Sequence, residues 1–391
     1  MKQVFFDGKG NLHVKDVPRP SLMPGNILVQ NSSSLISTGT EAMALSGGGS
    51  LIGSALRRPE LVRRALKLVS ERGIKNAIGI VRDASDSWYP LGYSSAGTVI
   101  EVGDGVKGFS VGDRVACAGA GYANHAATIS VPTNLAVKIP SNISLREACF
   151  ATIGAIAMQG VRRADPTLGE TVVVMGTGLI GLLTAQILRA NGCAAICVDL
   201  SEYRLAVANK LGFENVLLSG TDNVTQSVLD LTENAGADAV IVTAATKSSK
   251  PVNDAFEMCR ERGRVVVVGA VGMELEREEY YRKEIDLRIS RSYGPGRYDS
   301  DYEHKGLTYP LGYVRWTETR NLSAFLELLS VGNVKVDQLI SAEYSIDQAM
   351  LAYEEATGDD AEVIGVVLTY PEHQQTKNAD KTWRLPSVID A

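Results

Sequence analysis

Three glycines in Val172-Val-Val-Met-Gly-Thr-Gly-Leu-Ile-Gly181 have the types and spacing to do chemistry. A Gly-x-Gly-x-x-Gly turn between an apolar strand and an apolar helix suits a pyrophosphate. Gly176 permits the tight turn, Gly178 lets a phosphate approach the backbone, and Gly181 lets the helix pack close to the strand. Thr177, Leu179 and Ile180 complete the loop, and the free N–H groups of the helix start face the phosphates. Asp199 ends a second strand, Ala194–Asp199, at the distance expected for a ribose-binding carboxylate. That carboxylate accepts hydrogen bonds from both ribose hydroxyls of NAD and repels the 2′-phosphate of NADP, so NAD is expected over NADP. A plainer role for Asp199 is an acid stabilising the next helix N-terminus. Thr243 and Gly269 end two further apolar strands, Ala239–Thr243 and Arg264–Gly269, near the expected nicotinamide side.

These residues need a doubly wound parallel sheet to position them. Strand and helix alternate from Ser144 to about Tyr293, opening with a helix over Leu145–Arg163. Before that, Met1 to about Pro140 reads as short strands and turns, including Lys2–Phe6, Leu12–Val17, Asn26–Ser34, Tyr93–Gly103 and Val111–Ala116. Such strands predict a compact barrel-like domain. Thr317–Val331 predicts an amphipathic helix, Val334–Tyr344 and Glu362–Tyr370 predict strands, and Ile346–Ala356 predicts a helix between them. The tail after Pro371 is polar and aperiodic, and reads as a loose extension.

Composition narrows the partners. The chain has 391 residues, enough for two domains, and a net charge of −6, which argues against nucleic-acid and membrane-surface partners. No apolar run is long enough to span a bilayer, and the N-terminus alternates like a strand instead of reading as a signal peptide. The 5 cysteines are scattered without a paired framework, which fits a reducing, cytoplasmic setting.

Two stretches hold side chains without an assigned task. Pro59–Gly73 predicts a helix with Arg63, Arg64, Lys67 and Arg72 on one face. It reads either as a solvated amphipathic helix or as an electropositive rim for a phosphorylated or nucleotide-linked substrate. Tyr293-Gly-Pro-Gly-Arg-Tyr-Asp-Ser-Asp-Tyr302 pairs a rigid turn with aromatics. Arg297, Tyr293 and Tyr298 would line a sugar site, or the same residues would form an oligomer interface.

The order of parts resembles the medium-chain dehydrogenase/reductases. The resemblance rests on Gly-Tyr-Ser-Ser-Ala-Gly-Thr-Val-Ile-Glu-Val-Gly (92–103), Val-Gly-Asp-Arg-Val (111–115) and the Rossmann unit, and covers nearly all of the chain to Tyr370. It implies a β-rich GroES-like catalytic domain (1–153), an NAD-binding Rossmann domain (154–296), a return to the catalytic domain (297–370) and a tail or linker (371–391). It also implies that Arg204 lies by the adenine, where it would alternatively tolerate a phosphate. Arg57–Arg63, Pro90–Gly97, Arg291–Asp299 and Tyr313–Thr317 are similar to one branch, often fused to a second oxidoreductase domain and associated with cell-surface polysaccharide and sugar biosynthesis. Homodimers or larger homo-oligomers are expected.

The zinc-dependent members of that family supply Cys, His-Glu and Cys or an acid where this chain has Thr38, Tyr93-Ser94 and about Thr152. Hydroxyls are poor zinc ligands, so no zinc is expected. Without a Lewis acid, hydrogen bonds and a proton donor must stabilise the reacting oxygen. Tyr93 is the expected acid–base group, with Thr38, Ser94 and Thr152 converging beside it. Thr38 and Thr152 alternatively satisfy local backbone groups, and Tyr93 alternatively packs at the domain junction. The implied activity is zinc-independent, NAD-dependent hydride exchange on a sugar or polyol. The alternatives are an NADPH-dependent quinone or enoyl reductase, and an NAD-binding scaffold for a second oxidoreductase.

Overall fold

The computed structural model describes residues 1–7, 11–37, 39, 88–221, 223–358, 362–371 and 382–383. The predicted arginine-bearing helix at 59–73 lies outside the described residues, as does Thr38.

Lys2–Phe6 pairs with Leu12–Asp16 and Tyr89–Pro90 in a small antiparallel sheet, and the larger sheet of the N-terminal domain is antiparallel except for its last pair, which later segments supply in parallel. Its order is Ile340–Ser345, Gly365–Thr369, Asn26–Ile36, Ser94–Val102, Arg114–Ala118 and Ala136–Lys138, with Thr128–Pro132 also pairing to Asn26–Ile36. Two of these strands come from beyond residue 339, so the chain returns to its first sheet. Close approach needs glycine at one point: a Cβ on Gly97 would overlap the Gln30 carbonyl oxygen on the neighbouring strand.

The second sheet is wholly parallel. Its strands are β1 (Thr171–Met175), β2 (Ala194–Asp199), β3 (Val216–Leu218), β4 (Ala237–Val242), β5 (Cys259–Val267) and β6 (Asp286–Ile289). They lie in the order β3-β2-β1-β4-β5-β6. Both faces are covered by helices, so β1 and β4 are almost unbroken runs of buried apolar residues. The fold is α/β, a parallel Rossmann sheet joined to a β-rich domain, as expected. Strands β3 and β6 had no counterpart among the predicted strands; both are short and only partly buried.

Helices α1 (Ala151–Ala164), α2 (Leu179–Ala190) and α3 (Glu318–Ser330) bind the two sheets together. A Cβ on Gly154 of α1 would overlap the Phe325 ring of α3, so the small residue sets that packing. One apolar core runs from Val29 and Val115 through Phe150 and Phe325 to Val174.

Three predicted elements need correction. Leu145–Arg163 is not one helix but Leu145–Ala148 followed by α1, and Ser94 Oγ donates to the Cys149 carbonyl at the break. Val334–Tyr344 is a strand only from Ile340; before it, Gln186 bonds both the N–H and the carbonyl of Lys335, standing in for a neighbouring strand. The tail is not wholly loose, because Thr382–Trp383 pairs in parallel with Arg19–Pro20.

Candidate active site

The glycine loop joins β1 to α2 at the carboxyl edge of the parallel sheet, where strand order reverses between β1 and β4. Gly176 has φ +99°, and a Cβ there would lie 2.7 Å from the Ala244 amide nitrogen. A Cβ on Gly181 would overlap the Gly176 carbonyl oxygen, and one on Gly269 the Ala244 carbonyl oxygen. Gly178 differs: nothing lies within 4 Å of its Cβ position. Two of the motif glycines are thus required by the chain itself, while the third keeps its face clear. Leu179 and Ile180 open α2 behind it. Thr243 locks the loop by donating to the Gly176 carbonyl at 2.5 Å.

Asp199 ends β2 and is 6% exposed. Its carboxylate accepts the Thr177 N–H at 2.6 Å and the Ser201 N–H at 2.9 Å, with Arg204 Nη1 at 3.7 Å. A carboxylate has about four acceptor positions, so two backbone donors leave room for ribose hydroxyls. The buried Thr177 hydroxyl has no hydrogen-bond partner among the described residues, nor has Ser290 Oγ just beyond β6. Sequence reasoning missed Ser290; its only sequence signal is a polar residue ending a strand. An open glycine face, unpartnered hydroxyls and a strand-end carboxylate fit a bound dinucleotide.

On the catalytic-domain side, Tyr93 stands immediately before the strand Ser94–Val102, and its carbonyl accepts the Gly119 N–H at 3.0 Å. Gly92 before it has φ +93°, and a Cβ there would lie 2.5 Å from the His125 amide nitrogen. Ser94 Oγ donates to the Cys149 carbonyl at 2.6 Å, and Thr152 Oγ1 donates to the Cys117 carbonyl at 3.3 Å. Both hydroxyls are buried with their protons committed to backbone. For Thr152 this is the alternative of bonding to backbone, and Ser94 shares it; Tyr93 is the remaining described candidate at this wall.

The wall continues through Tyr122 to the segment 293–316. Tyr122 packs against His304, ring centres 5.8 Å apart, and burial and then the Glu303 charge raise its phenol above the ordinary range. Asn134 Nδ2 donates to the Tyr302 carbonyl at 2.7 Å, fastening the segment to the first domain. Arg297 does not reach into open space: its side chain is 13% exposed and Nη1 pairs with Glu303 at 2.6 Å. Tyr293 is buried, its hydroxyl has no partner among the described residues, and burial pushes it well above the ordinary range. Tyr298 is the outward residue of the three, 59% exposed at φ +67°, with the Arg297 guanidinium 3.9 Å from its ring centre. Glu318, at the start of α3, is fully buried beneath this turn, and sequence reasoning missed it.

The described hydroxyls of Tyr93, Ser94 and Thr152 are poor zinc ligands. Ser94 and Thr152 are hydroxyls already acting as donors, and among the described residues no three His, Cys, Asp or Glu side chains cluster. The 5 cysteines are buried, and burial raises each thiol, Cys197 and Cys259 to about 12. Surface hollows of about 640 and 940 Å³ lie elsewhere on the Rossmann unit and include neither Tyr93 nor the glycine loop.

This architecture joins a parallel sheet, with a glycine loop at its carboxyl edge, to a β-rich domain completed by the last strands of the chain. Residues 180–304 match the zinc-binding dehydrogenase profile and residues 77–141 the alcohol dehydrogenase GroES-like domain. The chain is 30% identical over 243 residues to a probable D-xylulose reductase A of Aspergillus fumigatus, covering 54% of this chain and 67% of that protein. It is 29% identical over 210 residues to an uncharacterised zinc-type alcohol dehydrogenase-like protein of Escherichia coli, covering 46% of this chain and 60% of that protein. The fold matches galactitol-1-phosphate dehydrogenase from Escherichia coli with a TM-score of 0.73 at 18% identity, over 94% of this chain and 100% of that one. The chain belongs to the zinc-type medium-chain alcohol dehydrogenase family, a family of NAD(P)-dependent oxidoreductases.

Proposed function

We propose that the chain exchanges hydride between NAD(H) and a secondary hydroxyl or ketone of a sugar or polyol, without zinc. The observation that carries the reading is the glycine loop, with its open Gly178 face and its Thr177 N–H bonded to the Asp199 carboxylate. The D-xylulose reductase among the relatives supports a polyol or ketose as substrate. Zinc independence is supported by Ser94 and Thr152, whose hydroxyl protons are held by backbone carbonyls.

When bound, NADH supplies the hydride from C4 of its nicotinamide. The residues of this chain orient and protonate. The glycine loop and the start of α2 hold the pyrophosphate, and Asp199 takes the ribose. Tyr93 Oη donates a hydrogen bond to the substrate carbonyl oxygen, which becomes negative as hydride reaches the carbonyl carbon. The phenol proton then passes to that oxygen and is replaced from solvent, giving the alcohol. Tyr298 supplies an aromatic face for an apolar sugar ring face, and Arg297 holds that face in place.

Fluorescence titration with NADH and NADPH, followed by NADH oxidation against ketoses, tests the reading. NADH is expected to bind at least about tenfold tighter, with turnover on one or more ketoses. Equal affinity for the two cofactors, or NADPH turnover on enones or quinones alone, would contradict it.

A further inference from the structure

Glu318 is the first residue of α3 and has 0% exposure. Neither of its carboxyl oxygens has a hydrogen-bond partner among the described residues. Burial with no partner disfavours the charged form of a carboxyl group. The polar groups around it are turned to other partners or, at Arg297 Nε and the Tyr293 hydroxyl, bond nothing among the described residues. Arg297 gives Nη1 to Glu303, which is 4% exposed. Asp299 accepts from the Tyr309 hydroxyl and from the Asp301 N–H, and Tyr302 bonds Thr319. Tyr293 and Tyr298 flank Arg297. From α1, Arg162 is turned to Asn321 and to the Trp316 ring.

Glu318 also touches the turn that carries the wall. Its N–H donates to the Pro295 carbonyl at 2.8 Å. Gly296, at φ +109°, lies so close that a Cβ there would be 3.1 Å from Glu318 Oε1 and 2.7 Å from the Tyr302 ring. The side chain is therefore a floor under the Gly294–Pro295–Gly296 turn.

We propose that Glu318 is a positioning residue: as an uncharged acid beneath this turn, it leaves Arg297 to Glu303 alone and so fixes the wall that presents Tyr298. The proposal rests on the reading of 293–316 as the substrate wall. Burial first, then the Glu303 charge, raises the Glu318 carboxyl to about 9, against the opposing pull of Arg297. Loss of the proton sets a second negative charge beside Glu303, and both compete for one guanidinium. The turn is then no longer held in one arrangement, and substrate affinity falls.

The pH dependence has a definite sign. The folded value lies above the ordinary 4.5, so between 4.5 and about 9 the folded chain keeps a proton that the unfolded chain has lost. The Glu318 contribution to stability is whole below 4.5, shrinks as pH rises through that window, and is gone above about 9.

Two variants of the full chain test the proposal, each followed by thermal melting from pH 5 to 10 and by substrate KM over the same range. Glu318→Gln keeps the shape of the neutral acid and cannot ionise. Its Tm should rise relative to the natural chain by roughly 2 °C per pH unit across the window. Its KM should lose the rise, about tenfold per unit, that the natural chain shows above pH 9. Glu303→Gln frees Arg297 for Glu318, and the break in KM should move down by a unit or more. Glu318→Gln melting in parallel with the natural chain, a KM rise surviving in that variant, or a break unmoved in Glu303→Gln would each overturn the proposal. If no sugar or polyol is turned over, the substrate reading fails while the melting curves still decide the state of Glu318.

Discussion

Asp199 and Glu318 are both buried carboxyl groups, and the molecule treats them in opposite ways. Asp199 accepts two backbone N–H groups at 2.6 and 2.9 Å and has an arginine within 3.7 Å. Glu318 has no partner for either oxygen among the described residues and is raised to about 9. One buried acid is supplied with donors by the loops at the carboxyl ends of β1 and β2; the other is kept neutral by what packs over it. The cofactor side is thus assembled from backbone and tolerates little change of shape. The wall proposed for the substrate is assembled from side chains distant in sequence and is expected to tolerate little change of charge.

The largest effect should come from forcing shape on the cofactor side. Gly181→Val would drive a side chain into the Gly176 carbonyl oxygen, so NADH affinity should fall more than about a hundredfold and Tm should drop with it. Gly178→Ala sharpens the contrast. Its Cβ meets nothing within 4 Å, so Tm should hold within about 2 °C while NADH affinity falls about tenfold. If Gly178→Ala binds NADH normally by fluorescence titration, the open face is not where the pyrophosphate lies.

Removing one oxygen at the junction between the two sides comes next. Tyr93→Phe should lower turnover about a hundredfold and leave the NADH dissociation constant unchanged. Turnover within a few-fold of the natural chain would make the phenol structural. Asp199→Asn should cut the preference for NADH over NADPH about tenfold, because the 2′-phosphate is no longer repelled. The smallest effect belongs to the outer face of the wall. Tyr298→Ala should raise substrate KM a few-fold with an unchanged sedimentation coefficient. Dissociation of an oligomer with normal KM would assign Tyr298 to an interface instead.

The same contrast decides what could be read in the sequence. The Rossmann unit was legible because its signals are local: one apolar run, one glycine pattern and an acid at the next strand end. The split at Cys149 was not, because it coincides with a bond from Ser94, 55 residues away. Ser94 and Thr152 stand out in the sequence as hydroxyls, but which carbonyl takes each proton depends on the folded partner. Arg297 stood out by its company of tyrosines, while its pairing with Glu303 was hidden by a turn that only the fold closes. Glu318 gave no signal, since an acid after Thr317 reads as a solvated residue in a helix first turn. In the fold it lies beneath the turn at Gly296, out of water.

The central claim is hydride exchange on a sugar or polyol carried by Tyr93 and bound NAD(H), with no metal. Its most direct test is NADH oxidation against a ketose panel by protein stripped with a chelator, with zinc measured on the same sample. The account predicts undiminished turnover at well under one equivalent of zinc, and no gain when zinc is added. Turnover lost on stripping and restored by zinc would contradict it.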